Sequence, residues 1–406
     1  MRKQVDRSIA IGSIVAVAVV PTVLVLMPWQ EFEPAGTKSN NSSPTTPADG
    51  LLMPPSPNRS PGAERAPSAA GQDPLPLPDI DTPAAGGGGG GTSGNGSAGN
   101  GRATLKPADD GARITAVKWH GKRQADVSIA SPALGSTQKV RVLLPRAWSA
   151  TANRTWPVLH AYHGGSDTYL SWTRSTDIEQ LAAKYDVLVA LPEGANGSYV
   201  DWYNDGKGGI PRWETFHTQE VRQILERNFR AGSARAAMGI SSGAQGAVTY
   251  AGRYPGMFKY AGGFSGVLSM LSPGIPALLQ YINARPGHDQ SASMIWGDPI
   301  RDRANWVAHD PYHLAPNMRG TRIHVSSGNG SKGPLDKTNH APWDIRYLSE
   351  SQVERTNRDF VRSAKSAGVP LTTNFYGAGS HTWGYWKREM HSQWPTMMSA
   401  IRARKY

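Results

Sequence analysis

The chain has 406 residues and a formal net charge of +12 at pH 7, and its lack of cysteine excludes disulfides, a thiol nucleophile and cysteine-bound metals. All of the positive excess lies beyond residue 103, which favours acidic partners such as anionic envelope polymers or lipid headgroups. No Lys/Arg run is interleaved with aromatic residues, so we expect no nucleic-acid partner.

The first 32 residues have the pattern of an export signal. Arg2, Lys3 and Arg7 precede an apolar run at residues 8–27, which as a helix would be about 30 Å long, enough to cross a hydrocarbon core. No small-x-small cleavage site follows, and Trp29 is placed as an interfacial anchor. The pattern favours an uncleaved signal-anchor over a cleaved signal peptide. In both cases the basic flank stays in the cytoplasm and the remainder is exported.

Residues 33–103 form a linker rich in Pro, Ala, Gly and Ser, with six consecutive glycines at 86–91. Such a segment cannot bury enough apolar surface to offset its ordering entropy, so we predict a disordered tether. About 70 flexible residues have a typical span of about 45 Å. The folded domain is predicted at residues 104–406.

Short apolar runs alternate with helical patterns along this domain, which predicts an α/β fold with a mostly parallel sheet and helices on both faces. The predicted strands are 139–144, 157–162, 187–191, 234–240, 260–265, 322–326 and 371–375. The predicted helices are 178–185, 214–229, 243–253 and 349–367, and a last helix has Trp386, Met390, Trp394 and Met397 on its core face.

A G-x-S-x-G pattern, Gly239-Ile240-Ser241-Ser242-Gly243, stands between a predicted strand and a helix of small residues. This is the context of a nucleophile elbow, in which flanking glycines relieve crowding at a strained turn that projects the serine hydroxyl. We therefore predict Ser241 as a nucleophile. A structural turn is the alternative interpretation of the same pattern.

A serine nucleophile needs a base, commonly a histidine held by a carboxylate, and in α/β-hydrolases the chain order is Ser, acid, His. His381 lies just beyond the last predicted strand, where such a fold returns its histidine to the elbow. The acid stays open at this point. The candidates between the strand at 322–326 and the histidine are Asp336, Asp344, Glu350 and Glu354, and position favours Asp336.

Two backbone N–H groups are expected to form an oxyanion hole. Ser242, directly after the nucleophile, supplies one, and Gly165 of the His163-Gly164-Gly165 loop is our choice for the second. His309 and His313 have the spacing of a metal pair, but Asp310-Pro311 between them breaks a helix, so we predict no metal and no cofactor.

Beyond these motifs, the chain resembles the antigen 85 mycolyltransferase group within the esterase D-like α/β-hydrolases, from about residue 139 to 401. The resemblance rests on these segments in order: Asp201-Trp202-Tyr203, Trp213-Glu214-Thr215-Phe216, Gly239-Ile240-Ser241, Tyr260-Ala261-Gly262, Ser265-Gly266, Trp296-Gly297, Gly328-Asn329-Gly330 and His381-Thr382-Trp383-Gly384-Tyr385-Trp386.

The resemblance implies an α/β-hydrolase fold and a Ser-Glu-His triad whose glutamate precedes an Arg-Thr-Asn segment by five residues. That segment is Arg355-Thr356-Asn357, which places the acid at Glu350, with Glu354 as the fallback. Trp383 matches an active-site tryptophan. Family members that bind trehalose carry Asp-Gly-x-Arg where this chain has His163-Gly164-Gly165-Ser166, so the aspartate and arginine that bind the sugar are both absent. We assign His163 and Ser166 of this loop, together with Trp383, to substrate binding.

The implied function is an exported, membrane-anchored or secreted serine esterase or acyltransferase, acting on acyl esters of cell-envelope glycans or glycolipids through an acyl-serine intermediate. Its expected partners are such a glycolipid or polysaccharide substrate, the cell envelope and the membrane. One alternative is a tethered carbohydrate esterase with water as acceptor. The other is a non-catalytic envelope-binding protein on the same fold.

Overall fold

The computed structural model describes residues 105–284, 293–337 and 344–406. The predicted export signal at 1–32 and the predicted linker at 33–103 lie outside these residues and stay predictions. Across the described ranges, none of the helices combines the length and the apolar character that a membrane crossing requires.

A nine-stranded sheet forms the centre of the described domain, in the order β1-β2-β3-β5-β4-β6-β7-β8-β9. Strands β4 to β9 pair in parallel, whereas β1, β2 and β3 extend the sheet as antiparallel strands beside β5. The strands are β1 Arg113–Trp119, β2 Gln124–Ser131, β3 Ser136–Leu143, β4 Trp156–Tyr162, β5 Leu188–Pro192, β6 Ala231–Ile240, β7 Tyr260–Phe264, β8 Arg322–Ser327 and β9 Leu371–Phe375.

Helices cover both faces of this sheet. They are α1 Ser171–Ser175, α2 Ile178–Ala182, α3 Trp213–Thr215, α4 Arg222–Asn228, α5 Ser242–Arg253, α6 Ile275–Ala284, α7 Arg303–His309, α8 Pro311–Leu314, α9 Ile345–Ser366 and α10 Trp383–Ala400. A π-helical turn, Phe216–Val221, joins α3 to α4, and 3₁₀ turns occupy Asn204–Gly206 and Ala315–Met318.

Alternate residues of the central strands feed two cores. On one face, Val158 and Leu188 pack with Phe216 and Leu225 from the helical stretch before β6. On the other face, Leu159 and Val189 join the last helix, whose buried side chains are Trp386, Met390, Trp394 and Met397. The prediction of a mostly parallel sheet with helices on both faces is confirmed, as is the core face of the last helix.

The first two strands have no counterpart among the sequence predictions. Both belong to the antiparallel extension. Buried residues in each strand are interrupted by partly exposed ones, so neither strand has a continuous apolar run. The predicted helix 214–229 is three consecutive segments in the structure, and the helix predicted at 349–367 already begins at Ile345, where the Asp344 side chain accepts the Arg346 N–H.

Both ends of the described domain lie at the edge where the parallel strands begin. Near its start, Lys106 exchanges two hydrogen bonds with the Asn228 side chain just before β6, at 2.8 and 2.9 Å. At the other end, the Tyr406 N–H donates to the Lys184 carbonyl just before β5, at 2.9 Å.

A buried carboxyl group lies behind the β2–β3 turn. Glu220 has no exposed surface, and its Oε1 accepts the Ala133 N–H at 2.8 Å. Burial, reinforced by the nearby Asp110 carboxylate, raises the pKa of Glu220 from 4.5 to about 7, although Ser131 and the Ala133 amide act in the opposite direction. Glu220 therefore changes charge near neutral pH.

Candidate active site

Ser241 occupies a sharp turn between β6 and α5. Its backbone lies at φ 53° and ψ −123°, a region that non-glycine residues adopt only under constraint, and its N–H donates to the Phe264 carbonyl at 3.0 Å. The neighbouring glycines make the turn possible. A Cβ on Gly239 would lie 2.1 Å from the Gly243 oxygen, and one on Gly243 would lie 2.3 Å from the His163 oxygen.

His381 connects the serine to an acid. It lies in the loop between β9 and α10, with Nε2 2.9 Å from Ser241 Oγ and Nδ1 2.6 Å from Glu350 Oε2. A carboxylate at Nδ1 fixes the imidazole tautomer with its proton on that nitrogen, which leaves the Nε2 lone pair facing the serine hydroxyl. The ring also meets Trp386 edge to face, with centroids 4.9 Å apart.

Glu350 is fully buried and satisfied on both oxygens. While Oε2 accepts from His381, Oε1 accepts from the Ser265 hydroxyl at 2.7 Å, the Gly328 N–H at 2.8 Å and the Tyr376 hydroxyl at 3.3 Å. Hydrogen bonds of this kind stabilise a buried carboxylate and hold it in one orientation. The carboxyl group therefore presents the same oxygen to the imidazole.

The other three carboxylates have different partners. Glu354 pairs with Arg358 on the surface of α9 at 2.7 Å, and Asp344 caps that helix. Asp336 accepts from the hydroxyls of Ser380, next to His381, and of Tyr385. Asp336 thus binds the loop that carries the histidine without contacting the imidazole.

Tyr376 links the acid to an aromatic stack. Its ring is parallel to that of Tyr385, 5.2 Å away, and the Arg388 guanidinium lies 4.2 Å from its centroid. Burial, with the Glu350 carboxylate adding to it, raises the pKa of the Tyr376 phenol well above its ordinary value. The phenol therefore stays protonated and acts as a donor to Glu350.

The two predicted oxyanion-hole amides lie beside the serine. Ser242 opens α5, and a Cβ on Gly165 would lie 3.8 Å from Ser242 Oγ. In residues 105–284, 293–337 and 344–406, neither of these N–H groups donates to a protein acceptor. The next residue of the loop, Ser166, is held by its N–H donating to Asn196 Oδ1 at 2.7 Å.

His163 has an environment that differs from the predicted one. The ring is 1% exposed, with Nδ1 2.7 Å from the Gly164 oxygen and Nε2 3.1 Å from Glu193 Oε1. Glu193 also accepts the N–H groups of Ala195 and Tyr169. A ring enclosed in this way cannot contact a substrate, so the assignment of His163 to substrate binding is corrected. The ring instead connects the loop that carries Gly165 to the loop after β5 that carries Glu193.

The remaining predicted binding residues have surfaces that a ligand can reach. Ser166 is exposed, with a positive φ of 58°. Trp383 is half-buried, meeting Trp172 and Trp386 edge to face at centroid distances of 5.3 and 5.4 Å. Ser166 directly follows Gly165 in the loop of the proposed oxyanion hole, and Trp383 lies two residues after the proposed base His381.

Sequence reasoning did not assign roles to Ser265, Gly328, Tyr376 or Glu193. Ser265 and Gly328 stand in segments that carry the family resemblance, Ser265-Gly266 and Gly328-Asn329-Gly330, so a signal for their importance was present. For Tyr376 and Glu193 no motif in the sequence pointed to a role.

Comparison with known proteins decides the family. A family model described as "Putative esterase" matches residues 131–397, which is well over half of the chain and includes the whole Ser241, Glu350 and His381 arrangement. The chain belongs to this esterase family. Its members are acyl-ester hydrolases and acyltransferases, and the chain is an enzyme of that class.

Named relatives agree with this esterase assignment. The diacylglycerol acyltransferase/mycolyltransferase Ag85B of Mycobacterium intracellulare is 32% identical over 246 residues, 58% of this chain and 72% of its own length. An esterase of Mycobacterium tuberculosis is 31% identical over 59% of this chain, and the match spans about half (51%) of that relative.

Solved structures share the fold of this esterase. MPT51 of Mycobacterium tuberculosis has a TM-score of 0.54 at 24% identity, covering 67% of this chain and 96% of its own. An S-formylglutathione hydrolase from Agrobacterium tumefaciens has a TM-score of 0.52 at 18% identity, covering 71% and 99%. At these identities the likeness establishes the α/β-hydrolase-like fold alone.

Proposed function

We propose that this esterase is an exported serine enzyme that transfers acyl groups from envelope glycans or glycolipids through an acyl-Ser241 intermediate. The observation that carries the proposal is the continuous hydrogen-bonded series from Ser241 Oγ through His381 to Glu350, at 2.9 and 2.6 Å. Similarity to the Ag85B acyltransferase/mycolyltransferase supports the substrate class.

In the acylation step, His381 Nε2 takes the Ser241 proton as Oγ attacks the ester carbonyl carbon. The imidazolium that forms is stabilised by the Glu350 carboxylate at Nδ1. When the tetrahedral intermediate collapses, the C–O bond to the leaving alcohol breaks and His381 returns the proton to that alcohol. The acyl group is then bound to Ser241 as an ester.

The negative charge on the former carbonyl oxygen needs donors. We assign this role to the N–H groups of Gly165 and Ser242, which lie beside Ser241 and have no acceptor within the described part of the chain. One such donor contributes about 100-fold to 1000-fold in rate. The buried His163–Glu193 pair holds the loop that carries Gly165, and Ser166 and Trp383 are proposed to contact substrate.

In the second step His381 removes a proton from an acceptor hydroxyl, which attacks the acyl-serine carbonyl. The bond from the acyl carbon to Ser241 Oγ then breaks and His381 returns the proton to Oγ. A sugar hydroxyl as acceptor makes the enzyme a transferase, and water makes it a hydrolase. The His163-Gly164-Gly165-Ser166 loop lacks the aspartate and arginine of trehalose-binding relatives. This observation favours a second candidate function, a tethered carbohydrate esterase with water as acceptor.

A fluorophosphonate probe tests the nucleophile, because it reacts only with an activated serine. We expect the wild type and Ser242→Ala to label, since Ser242 acts through its backbone N–H, and Ser241→Ala not to label. Equal labelling of Ser241→Ala and the wild type would leave the chain as a non-catalytic envelope-binding protein.

The acceptor is tested by incubating long-chain and short-chain acyl esters with trehalose or arabinan and identifying the products by mass spectrometry. Acylated sugar supports the transferase. Free acid alone, with short esters turned over much faster than long ones, supports the carbohydrate esterase. Fractionation of cells producing the full chain tests export, with the domain expected outside the cytoplasmic membrane.

A further inference from the structure

Large exposed apolar side chains are unevenly distributed over the described residues. Three are aliphatic, namely Ile300 (87% exposed), Ile210 (57%) and Leu335 (38%). Ile210 and Leu335 lie in the segments that follow β5 and β8, at the edge of the sheet where Ser241 follows β6. Ile300 lies between α6 and α7, in a stretch that is hydrogen-bonded to the segment after β5. Single exposed aliphatic residues are common on soluble proteins. Two of the three exposed aliphatic side chains share the edge of the sheet that holds the nucleophile, and the third lies in a stretch bonded to that edge, so they are not scattered over the surface.

The segments that carry Ile210 and Leu335 follow strands on either side of β6, the strand that leads to Ser241. Strands β5 and β8 stand on opposite sides of β6 in the sheet, four strand spacings apart, which is about 19 Å. Leu335 lies beside the start of α10, where its N–H donates to the Tyr385 hydroxyl at 3.2 Å. Ile210 packs against the β2–β3 turn, with its Cδ1 2.9 Å from the Cβ position of Gly135.

Two of the loops form one surface. The N–H groups of Tyr203 and Asn204 donate to the carbonyls of Ile295 and Met294 at 3.0 and 2.9 Å, and the Tyr203 hydroxyl donates to Asp302 at 3.2 Å. The aliphatic tips are therefore held by backbone and side-chain hydrogen bonds. We name Ile210, Ile300 and Leu335 the aliphatic rim.

From this arrangement we infer that the aliphatic rim docks on the surface of an anionic lipid bilayer, with the mouth of the active site facing the lipid. Exposed cations, among them Lys207, Arg303 and Lys332, stand within a few residues of the three tips. The carboxylates beside the tips are bound within the protein: Asp298 accepts backbone N–H groups, Asp302 pairs with Arg301, and Asp336 accepts from Ser380 and Tyr385. The positive excess of the chain beyond residue 103 complements an anionic surface. Aliphatic tips with polar and cationic flanks match the boundary between headgroups and acyl chains.

The part of the chain outside the described residues supports a bilayer as the occupant. As a helix, the apolar run at 8–27 would be long enough to cross a bilayer, and the predicted flexible linker, with a typical span of about 45 Å, would keep the domain near its surface. Because the described domain begins at the opposite edge of the sheet, beside Asn228, the linker must reach around it. A domain of about 300 residues has a radius of gyration of about 19 Å and is therefore about 50 Å across, whereas a chain of about 70 residues can extend to about 230 Å, so the linker is long enough.

The inference deepens the proposed function, since it gives the site a lipid surface as the source of its acyl ester. Its test does not require turnover. Because the chain has no cysteine, Ile210→Cys, Ile300→Cys and Leu335→Cys can each carry one environment-sensitive fluorophore in the full chain, with Ser241→Ala added. Tyr406→Cys is the matched control, being exposed (51%) at the opposite edge.

Each labelled chain is reconstituted in phosphatidylcholine/phosphatidylglycerol vesicles, with and without spin-labelled acyl chains that quench only on contact. We expect strong quenching at the three rim positions and little at position 406. With the label at 335, Ile210→Ser and Ile300→Ser should each lower the equilibrium constant between docked (quenched) and undocked domain by about tenfold, measured from the quenched fraction.

Equal quenching at the rim and at position 406, or none at the rim, overturns the docking inference. Failure of the proposed function has a different signature, because wild type would then fail to react with the fluorophosphonate probe whatever the quenching shows. The two ideas therefore stand or fall separately.

Discussion

Replacing Glu350 by glutamine tests the proposed acid through the proton on His381. Glutamine has the size of glutamate but only one acceptor oxygen. Three donors, from Ser265, Gly328 and Tyr376, converge on the Oε1 site, so the glutamine oxygen is expected to remain there. Its NH₂ group then faces His381 Nδ1, which must become an acceptor.

The consequence is an imidazole with its proton on Nε2, where it can no longer accept the Ser241 proton. A base fixed in the wrong tautomer is expected to lower kcat by about 10³-fold to 10⁴-fold, which corresponds to about 4 to 5 kcal/mol in the activation barrier. The KM for a short p-nitrophenyl ester should change little, because the acid does not touch the substrate.

Two matched variants separate this effect from a general loss of charge. Glu354→Gln removes a carboxylate from the same helix, but Glu354 pairs only with Arg358 at the surface, so its activity should stay within about twofold of wild type. Asp336→Asn loosens the loop beside His381 and should have an intermediate effect. Circular dichroism verifies folding of all three. The reasoning is refuted if folded Glu350→Gln keeps wild-type activity, or if Glu354→Gln shows the large loss instead.

Three further changes have defined outcomes. Tyr376→Phe keeps the aromatic stack and removes the longest hydrogen bond to Glu350. We expect kcat to fall about threefold to tenfold at unchanged KM. If Tyr376 had only a structural role, such a fall would be accompanied by a lower Tm. Gly243→Ala forces a methyl group against a backbone oxygen, so the free energy of unfolding measured in urea should fall by about 2 kcal/mol or more. The control Gly320→Ala should be neutral, because no atom lies within 4 Å of the added methyl group. Glu220 binds its proton more tightly when folded, with a pKa of about 7 against 4.5. The free energy of unfolding should therefore fall by on the order of 3 kcal/mol as pH rises from 4.5 to 7, and stay low above. Glu220→Gln should abolish this slope, and parallel slopes in both proteins would contradict the assignment.

The parallel part of the sheet could be predicted from sequence because its strands are buried on both faces and form short apolar runs. For example, all five residues of β5 and all five of β7 are buried. The antiparallel strands β1 and β2 left no such run, since part of each faces outward. Their pairing is local, since β1 pairs with β2 and β2 with β3 across short turns. The missing apolar run, and not a distant partner, is what kept them from being predicted.

Within the site, Ser241 could be predicted because its neighbours are constrained locally by the turn. The acid could not be chosen from position, since several carboxylates lie between β8 and His381. What distinguishes Glu350 is its distance to the imidazole across the fold. His163 was assigned from its place in a loop motif. Burial, which sequence does not specify, gives that ring protein partners instead of a ligand.

Both ends of the described domain lie at the same edge of the sheet, and this placement has a practical consequence. Because Lys106 and Tyr406 both anchor where the parallel strands begin, a carrier protein fused at either end, or at both, would stand behind the domain and leave the catalytic mouth unobstructed. The fold is thus suited to insertion as a cassette into a loop of another scaffold. It is equally suited to immobilisation on a solid support for flow synthesis of esters.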